Sequence, residues 1–557
     1  MGQSTNPKRS QGLGRWLPGE PQSVDRAAWL TIAVVFVAIA LLLLFGDNSV
    51  AAVRSFSWRD RILAAPDRAF IMTFNRPVDR ETVEQNLTIE PNLPGRFSWS
   101  GSRMAYTVNE PVPYGQEFSL TLEGAQTQPI GVQRDIQNFA NFQGFFAGRD
   151  EVLAYVGADG EEIDRLVLYD QTRQTKTLLT PPELRVTGFV PFPERDRILF
   201  GASLAQGVSA GEETTADVPE QQLYTVTTGL ETRSLTDESD QSFQLSNLGR
   251  MVQDWLKGNG PAAGELTLIL DAQKYQNLKF DLAPNGRVIV IERVDRERPD
   301  EYGLWAIVDG ALPQQVPTEQ GGEFLIAPDS QSLAMTQGEG LAILPLPQTP
   351  PNAFSRRSAF QAKIEPLDFL PKFGELLNFS PDGTAAALVK FNKDYTRSLY
   401  VARNTGQEIE LGNINGSIRS AEFSPDGKWL YCLLAEIIGD PAAENYQEQP
   451  YIAVIDLETK DIQPLLLLPN SQALDVDLSP DGRSLLFSQP VLREEPDGID
   501  IPGSDIPGSV EGNGTVDELD TTSQLLILKP QRTDDGEWVA NDPQVLPLTG
   551  TQPRWLP

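Results

Sequence analysis

A five-residue turn, repeated along the chain, constrains the fold more than any other feature. It stands as Phe379-Ser380-Pro381-Asp382-Gly383, Phe423-Ser424-Pro425-Asp426-Gly427 and Leu478-Ser479-Pro480-Asp481-Gly482. Leu282-Ala283-Pro284-Asn285-Gly286 and Ile326-Ala327-Pro328-Asp329-Ser330 are looser copies. Ser suits the first position of a type I turn, Pro presets φ at the second, Asp suits the third, and Gly tolerates the left-handed exit. Apolar β-prone runs flank the turn, such as Ile418 to Phe423 and Trp429 to Leu434, so each copy reads as a hairpin connection. The turn marks fall near Gly148, Pro193, Asn247, Pro284, Pro328, Pro381, Pro425 and Pro480, at steps of 45, 54, 37, 44, 53, 44 and 55 residues. That period fits a four-stranded blade. Residues 135–557 are therefore expected to form a β-propeller of eight blades, or seven if the Asn247 unit is not a blade.

The N-terminal part is of another kind. Residues 1–26 are polar and read as a disordered tail. Ala27 to Phe45 is a run of 19 residues without a charge, close to the roughly 20 that a helix needs to cross a bilayer and longer than the apolar core of a secretory signal. It predicts a single-pass transmembrane helix. Lys8, Arg9, Arg15 and Arg26 precede it and Arg54, Arg59 and Arg61 follow. That bias puts the tail in the cytoplasm and the bulk of the chain on the periplasmic or extracytoplasmic side.

Residues 55–125 carry short β-prone runs at close spacing: Ala69 to Phe74, Leu87 to Pro91, Arg96 to Trp99, Met104 to Val108 and Glu117 to Leu122. A small β-sandwich is expected there, with Trp99 in its core. Phe74 with Pro77-Val78, Ile89-Glu90-Pro91, Pro94-Gly95-Arg96-Phe97-Ser98-Trp99 and Pro113-Tyr114-Gly115-Gln116-Glu117-Phe118 resemble the bacterial Ig-like domain named after the S-layer protein SbsA. The resemblance implies a spacer module without chemistry of its own. The Ser-Pro-Asp-Gly turns with their following strands resemble the TolB-like propellers, and Gln552 to Pro557 resembles the approach to one more such turn. That similarity implies a protein-docking propeller whose last strand completes its first blade. With the anchor, it implies the bacterial inner (plasma) membrane.

Composition narrows the function. With 77 acidic and 45 basic side chains the formal charge is −32, which repels nucleic acid. The chain has no histidine, so Ser-His-Asp triads, Cys-His pairs and imidazole bases are excluded. Its one cysteine, Cys432, sits in an apolar strand and reads as a buried small hydrophobe. No phosphate-binding loop, nucleophile elbow or dinucleotide fingerprint occurs, and no cofactor is expected. The Asp of each repeated turn reads as structural.

Three long acidic insertions, 203–221, 436–449 and 490–521, each fall between the second and third strands of a repeat. Their carboxylates include Glu212, Glu213, Asp217 and Glu220, then Glu436, Asp440, Glu444 and Glu448, then Glu494, Glu495, Asp497, Asp500 and Asp505. Equivalent loops of a propeller emerge on one face, so these residues predict an acidic docking surface for other proteins, or for divalent cations. The repeat Asp500-Ile501-Pro502-Gly503-Ser504-Asp505-Ile506-Pro507-Gly508-Ser509 fits no calcium-loop spacing. The chain is thus expected to be a non-catalytic, membrane-anchored envelope scaffold. The alternatives are a glycan- or cation-binding sensor module and a carboxylate-only glycosidase.

Overall fold

The computed structural model describes residues 30–37, 50–128, 137–204, 220–230, 262–338, 340–349, 365–439, 447–471, 474–492, 521–533 and 535–557. These are nearly all β. Among the described residues no helix is long and apolar enough to cross a membrane. Residues 30–37 of the apolar run are helical and expose Leu30, Val34 and Phe36; the rest of 27–45, and the tail 1–26, lie outside the described residues.

The first unit is a two-sheet sandwich. One sheet orders Val53–Phe56, Ala69–Phe74, Arg103–Val108 and Gly95–Ser100; the other orders Arg61–Leu63, Phe142–Gly148, Glu117–Leu122 and Leu87–Glu90. Alternation in Ala69–Phe74 turns Phe70, Met72 and Phe74 inward, where Trp58, Phe118 and Phe146 join one core. Trp99 lies at the edge of that core, half-buried: it stacks on Phe74 at 6.0 Å, and its Nε1 donates to Glu84 at 2.7 Å.

Two expectations need correction here. The sandwich runs past residue 125, because Phe142–Gly148 pairs along Glu117–Leu122 from Leu122↔Phe142 to Glu117↔Ala147. Gly148 is therefore a strand end of the sandwich and no turn of the repeat. It is glycine for a local reason: a Cβ there would lie 1.9 Å from the carbonyl oxygen of Pro113.

The repeats that follow form a β-propeller. Four-stranded antiparallel sheets begin at Leu184–Pro191, Tyr275–Leu282, Phe324–Ile326, Glu375–Phe379 and Ile418–Phe423, each pairing strands in chain order. From Tyr275–Leu282 onward the first strands of consecutive sheets lie side by side around an axis. Apolar clusters fill each gap between neighbours, as where Val389 and Leu399 meet Phe423, Leu430 and Ile455. One long strand closes the ring. Gln544–Trp555 pairs first with Thr521–Leu528, through Gln524↔Thr549, and then with Val152–Gly157, from Gly550↔Gly157 to Trp555↔Leu153. It is thus the outermost strand of the sheet begun by Val476–Leu478 and the innermost strand of the sheet holding Val152–Gly157, Leu166–Asp170 and Thr175–Leu178. Leu486, Leu525 and Ile527 pack on Leu153, Tyr155 and Val167 across that joint.

The Asn247 mark lies outside the described residues. The strands on either side of it, Gln222–Thr227 and Leu266–Leu270, are neighbours in one sheet.

Candidate functional site: the ring axis and its two faces

The repeated turn has the geometry that its residues dictate. Gly383, Gly427 and Gly482 donate to the carbonyls of Ser380, Ser424 and Ser479 at 2.8, 2.9 and 2.7 Å, with φ of 69°, 68° and 76°. Each Ser hydroxyl donates to its Asp at 2.6 Å. The Ser380 hydroxyl and the Thr384 N–H hold Asp382 below the usual carboxylate range. The turn carboxylates are consumed by the turns. Asp481 has a second use, accepting the N–H of Tyr114 from the sandwich at 3.2 Å.

A polar side chain stands three residues before the proline on several innermost strands: Asp281, Asn378, Glu422, Asp477 and Arg554. These groups link strand to strand around the axis. Asp281 accepts the N–H of Ile326 at 3.1 Å, and the Asn378 amide donates to Glu422 at 2.7 Å. Asp477 accepts from Arg554 at 2.9 Å and from the Trp555 N–H at 2.7 Å. Burial, then the nearby charge of Asp477, pushes Glu422 up to about 8. Burial pushes Asp477 up as well, but Arg554 and the Trp555 N–H oppose it. Among the described residues Glu422 is hydrogen-bonded to an amide and Asp477 to a guanidinium and an N–H, so of the two it is Glu422 that holds its proton more strongly. Lys279, paired with Glu323, is pushed down by burial against the pull of Asp281, Glu292 and Glu375. Sequence reasoning passed over this ring. Its signal was present: one polar residue at a fixed place in an apolar strand.

The acidic insertions leave the ring at one edge. They depart from Leu204, Ile438 and Leu492 and return at Gln222, Gln447 and Thr521, in each case between the second and third strands of a sheet. The turns join first to second strands, so in an antiparallel ladder they lie at the opposite edge. Part of the 436–449 insertion is ladder rather than loop, with Glu436↔Gln449 and Ile438↔Gln447 extending the hairpin past Leu434. Of the expected docking carboxylates, Glu220 faces Arg296 at 3.4 Å, and Glu448 accepts from Ser417 at 2.7 Å and Arg419 at 3.3 Å. Glu436 accepts from the Tyr451 hydroxyl at 3.1 Å. Glu212, Glu213, Asp217, Asp440, Glu444, Glu494, Glu495, Asp497, Asp500 and Asp505 lie outside the described residues.

The sandwich sits on the turn edge. Arg68 donates to the Pro425 carbonyl at 3.1 Å, Arg149 to that of Pro557 at 3.0 Å, and Arg483 pairs with Glu110 at 3.0 Å. Cys432 is buried in the apolar cluster of Phe423 and Ile455, and burial pushes its thiol up.

No family model matches the chain, and no curated protein matches it. Among solved structures, TolB from Acinetobacter baumannii is similar over 80% of this chain and 81% of its own, at 12% identity and a TM-score of 0.35. A 6-phosphogluconolactonase homologue from Bacteroides uniformis, its function assigned provisionally, covers 73% of this chain with 100% of its own, at 12% identity and a TM-score of 0.38. An oligogalacturonate lyase in complex with manganese covers 80% with 94% of its own, at 12% identity and a TM-score of 0.28. Likenesses at this level carry no function to the chain; its function has to be read from its own residues.

Proposed function

We propose that the protein is a non-catalytic scaffold of the bacterial cell envelope. The apolar segment 27–45 tethers it to the inner membrane with the N-terminus cytoplasmic, and an Ig-like sandwich serves as spacer. The propeller, read as seven blades of which two share Gln544–Trp555, docks basic proteins. One observation carries this reading: the three acidic insertions leave from one edge of the ring, and the sandwich occupies the other. The chain thus runs from anchor to sandwich to propeller, and the acidic edge points away from the anchor, where a partner can reach it. Like-signed segments at one edge favour a basic partner and speed its encounter.

The test is crosslinking and affinity purification of the full chain from native membranes. The tag belongs on residues 1–26, because Leu556 is buried and the Pro557 carbonyl is bonded to Arg149. One or two proteins recovered in near-stoichiometric amounts, and lost when 493–520 is replaced by a short Gly-Ser turn, would support the scaffold. Recovery that ignores the deletion, or nothing above background, would overturn it.

A further inference from the structure

A cleft of about 680 Å³ opens where the sandwich loop around Glu110–Gln116 faces the turns at Pro425 and Pro480. Its volume falls within the roughly 300–1,000 Å³ of small-molecule sites, and junctions between domains are a frequent place for them. The propeller wall is aromatic. Trp429 and Trp538 meet edge to face at 5.1 Å and 82°, and Tyr431 meets Trp538 at 6.1 Å. Arg532 lies over the Trp429 ring at 4.8 Å.

The polar groups of the wall divide into two sets. One set is already used: Glu110 by Arg483, Asp426 by Ser424 and Lys428, and Asp481 by its turn and Tyr114. The other set is unspent among the described residues. Trp538 adds nothing to it and offers the cleft its ring only, because its Nε1–H is closed off from solvent. The Glu151 carboxylate, half-buried, accepts no hydrogen bond; burial raises its pKa and Lys529 opposes the rise. Lys529 is itself exposed in the lining, and Gln116 reaches in from the sandwich. Together they offer donors and acceptors of both signs with no strong net charge.

We propose that this cleft is a carbohydrate-binding site, taking a short neutral oligosaccharide whose apolar ring face lies against the Trp429–Trp538 pair. A hydroxyl both donates and accepts, so a sugar matches the mixed set of unspent groups, whereas a phosphate or a cation would match only half of it. A peptide fits less well. The longest strand in the wall, Trp429–Ile438, is paired on both sides and offers side chains rather than a free backbone edge. A ligand touching Gln116 and Lys529 together would also bridge sandwich and propeller.

The experiment uses the full chain in a detergent without a sugar headgroup. Chitotriose, cellotriose and maltotriose are titrated separately, followed by tryptophan emission and calorimetry. At least one is expected to bind one-to-one and saturate below about 10 mM, the weak end of specific affinity. Lys529→Ala removes an exposed donor of the lining, and Glu151→Gln keeps the shape. Each should weaken binding at least several-fold without moving the unfolding midpoint by more than a few degrees. The proposal is overturned if none of the three saturates, if both variants bind like the parent, or if a poly-L-proline peptide binds the cleft and the sugars do not.

Discussion

Gly427 and Gly482 hold the same place in the same turn, with φ of 68° and 76°, yet a methyl group would meet different surroundings at each. At Gly427 a Cβ meets nothing within 4 Å; at Gly482 it would lie 2.5 Å from Cδ of Pro425, part of a ring that cannot rotate away. Gly427→Ala should cost about 1–2 kcal/mol, for the left-handed backbone alone. Gly482→Ala should cost clearly more, read as the larger drop in urea midpoint; equal drops would show that the turns at Pro425 and Pro480 do not touch. Glu422 yields a pH prediction. Its folded-state pKa is raised to about 8, so the bound proton stabilises the native state. That contribution is complete below the usual carboxylate range and is lost as pH rises through about 8. Glu422→Gln should flatten the decline in stability across that window and leave the variant more stable than the parent above it. An unchanged slope would place the titrating group elsewhere.

At the scale of elements, the closing strand Gln544–Trp555 holds the ring together. Its polar anchor is the Arg554–Asp477 pair, reinforced by the Trp555 N–H on the same carboxylate. Breaking a fully buried pair costs about 3–5 kcal/mol, and an exposed one about 1 or less. Arg554 is about half exposed and Asp477 is 16% exposed. Arg554→Met is therefore expected at about 1–3 kcal/mol, between those limits. Asp477→Asn in the same background should add less than it does alone, because the two side chains share one interaction. Chemical denaturation of the four proteins of that cycle checks both statements.

For the whole molecule, polar contacts seat the sandwich on the turns, and Asp481 is where a turn and the junction coincide. Asp382 makes the corresponding turn bonds and also accepts from the Thr384 hydroxyl, but it is exposed and is not bonded to the sandwich, whereas Asp481 is buried and bonded to it. Asp481→Ala should therefore lower the melting temperature more than Asp382→Ala. A reversed order would mean that the Tyr114 contact contributes nothing. Replacing 493–520 with a short turn should leave the fold intact, because the ladder already closes at Leu492↔Thr521 and shortening a loop reduces its closure entropy.

The sequence by itself determined the unit of construction. Ser, Pro, Asp and Gly each satisfy one backbone demand of the turn, so a local motif repeated at blade spacing implies a ring before any contact is known. It also placed Cys432 in the core and the acidic insertions between second and third strands, since both follow from local pattern. Tertiary structure decided what depends on distant partners. Gly148 looks like a repeat mark but belongs to the sandwich, because the backbone that crowds it, at Pro113, is 35 residues away. Glu422, Asp477 and Arg554 share a fixed place before the turn proline in sequence, but they acquire their shifted titration only when three innermost strands meet at the axis. The cleft between Gln116 and Trp429 exists only because the sandwich docks on the turns. Turn chemistry is written within five residues, whereas burial and charge coupling arise from segments that folding brings together.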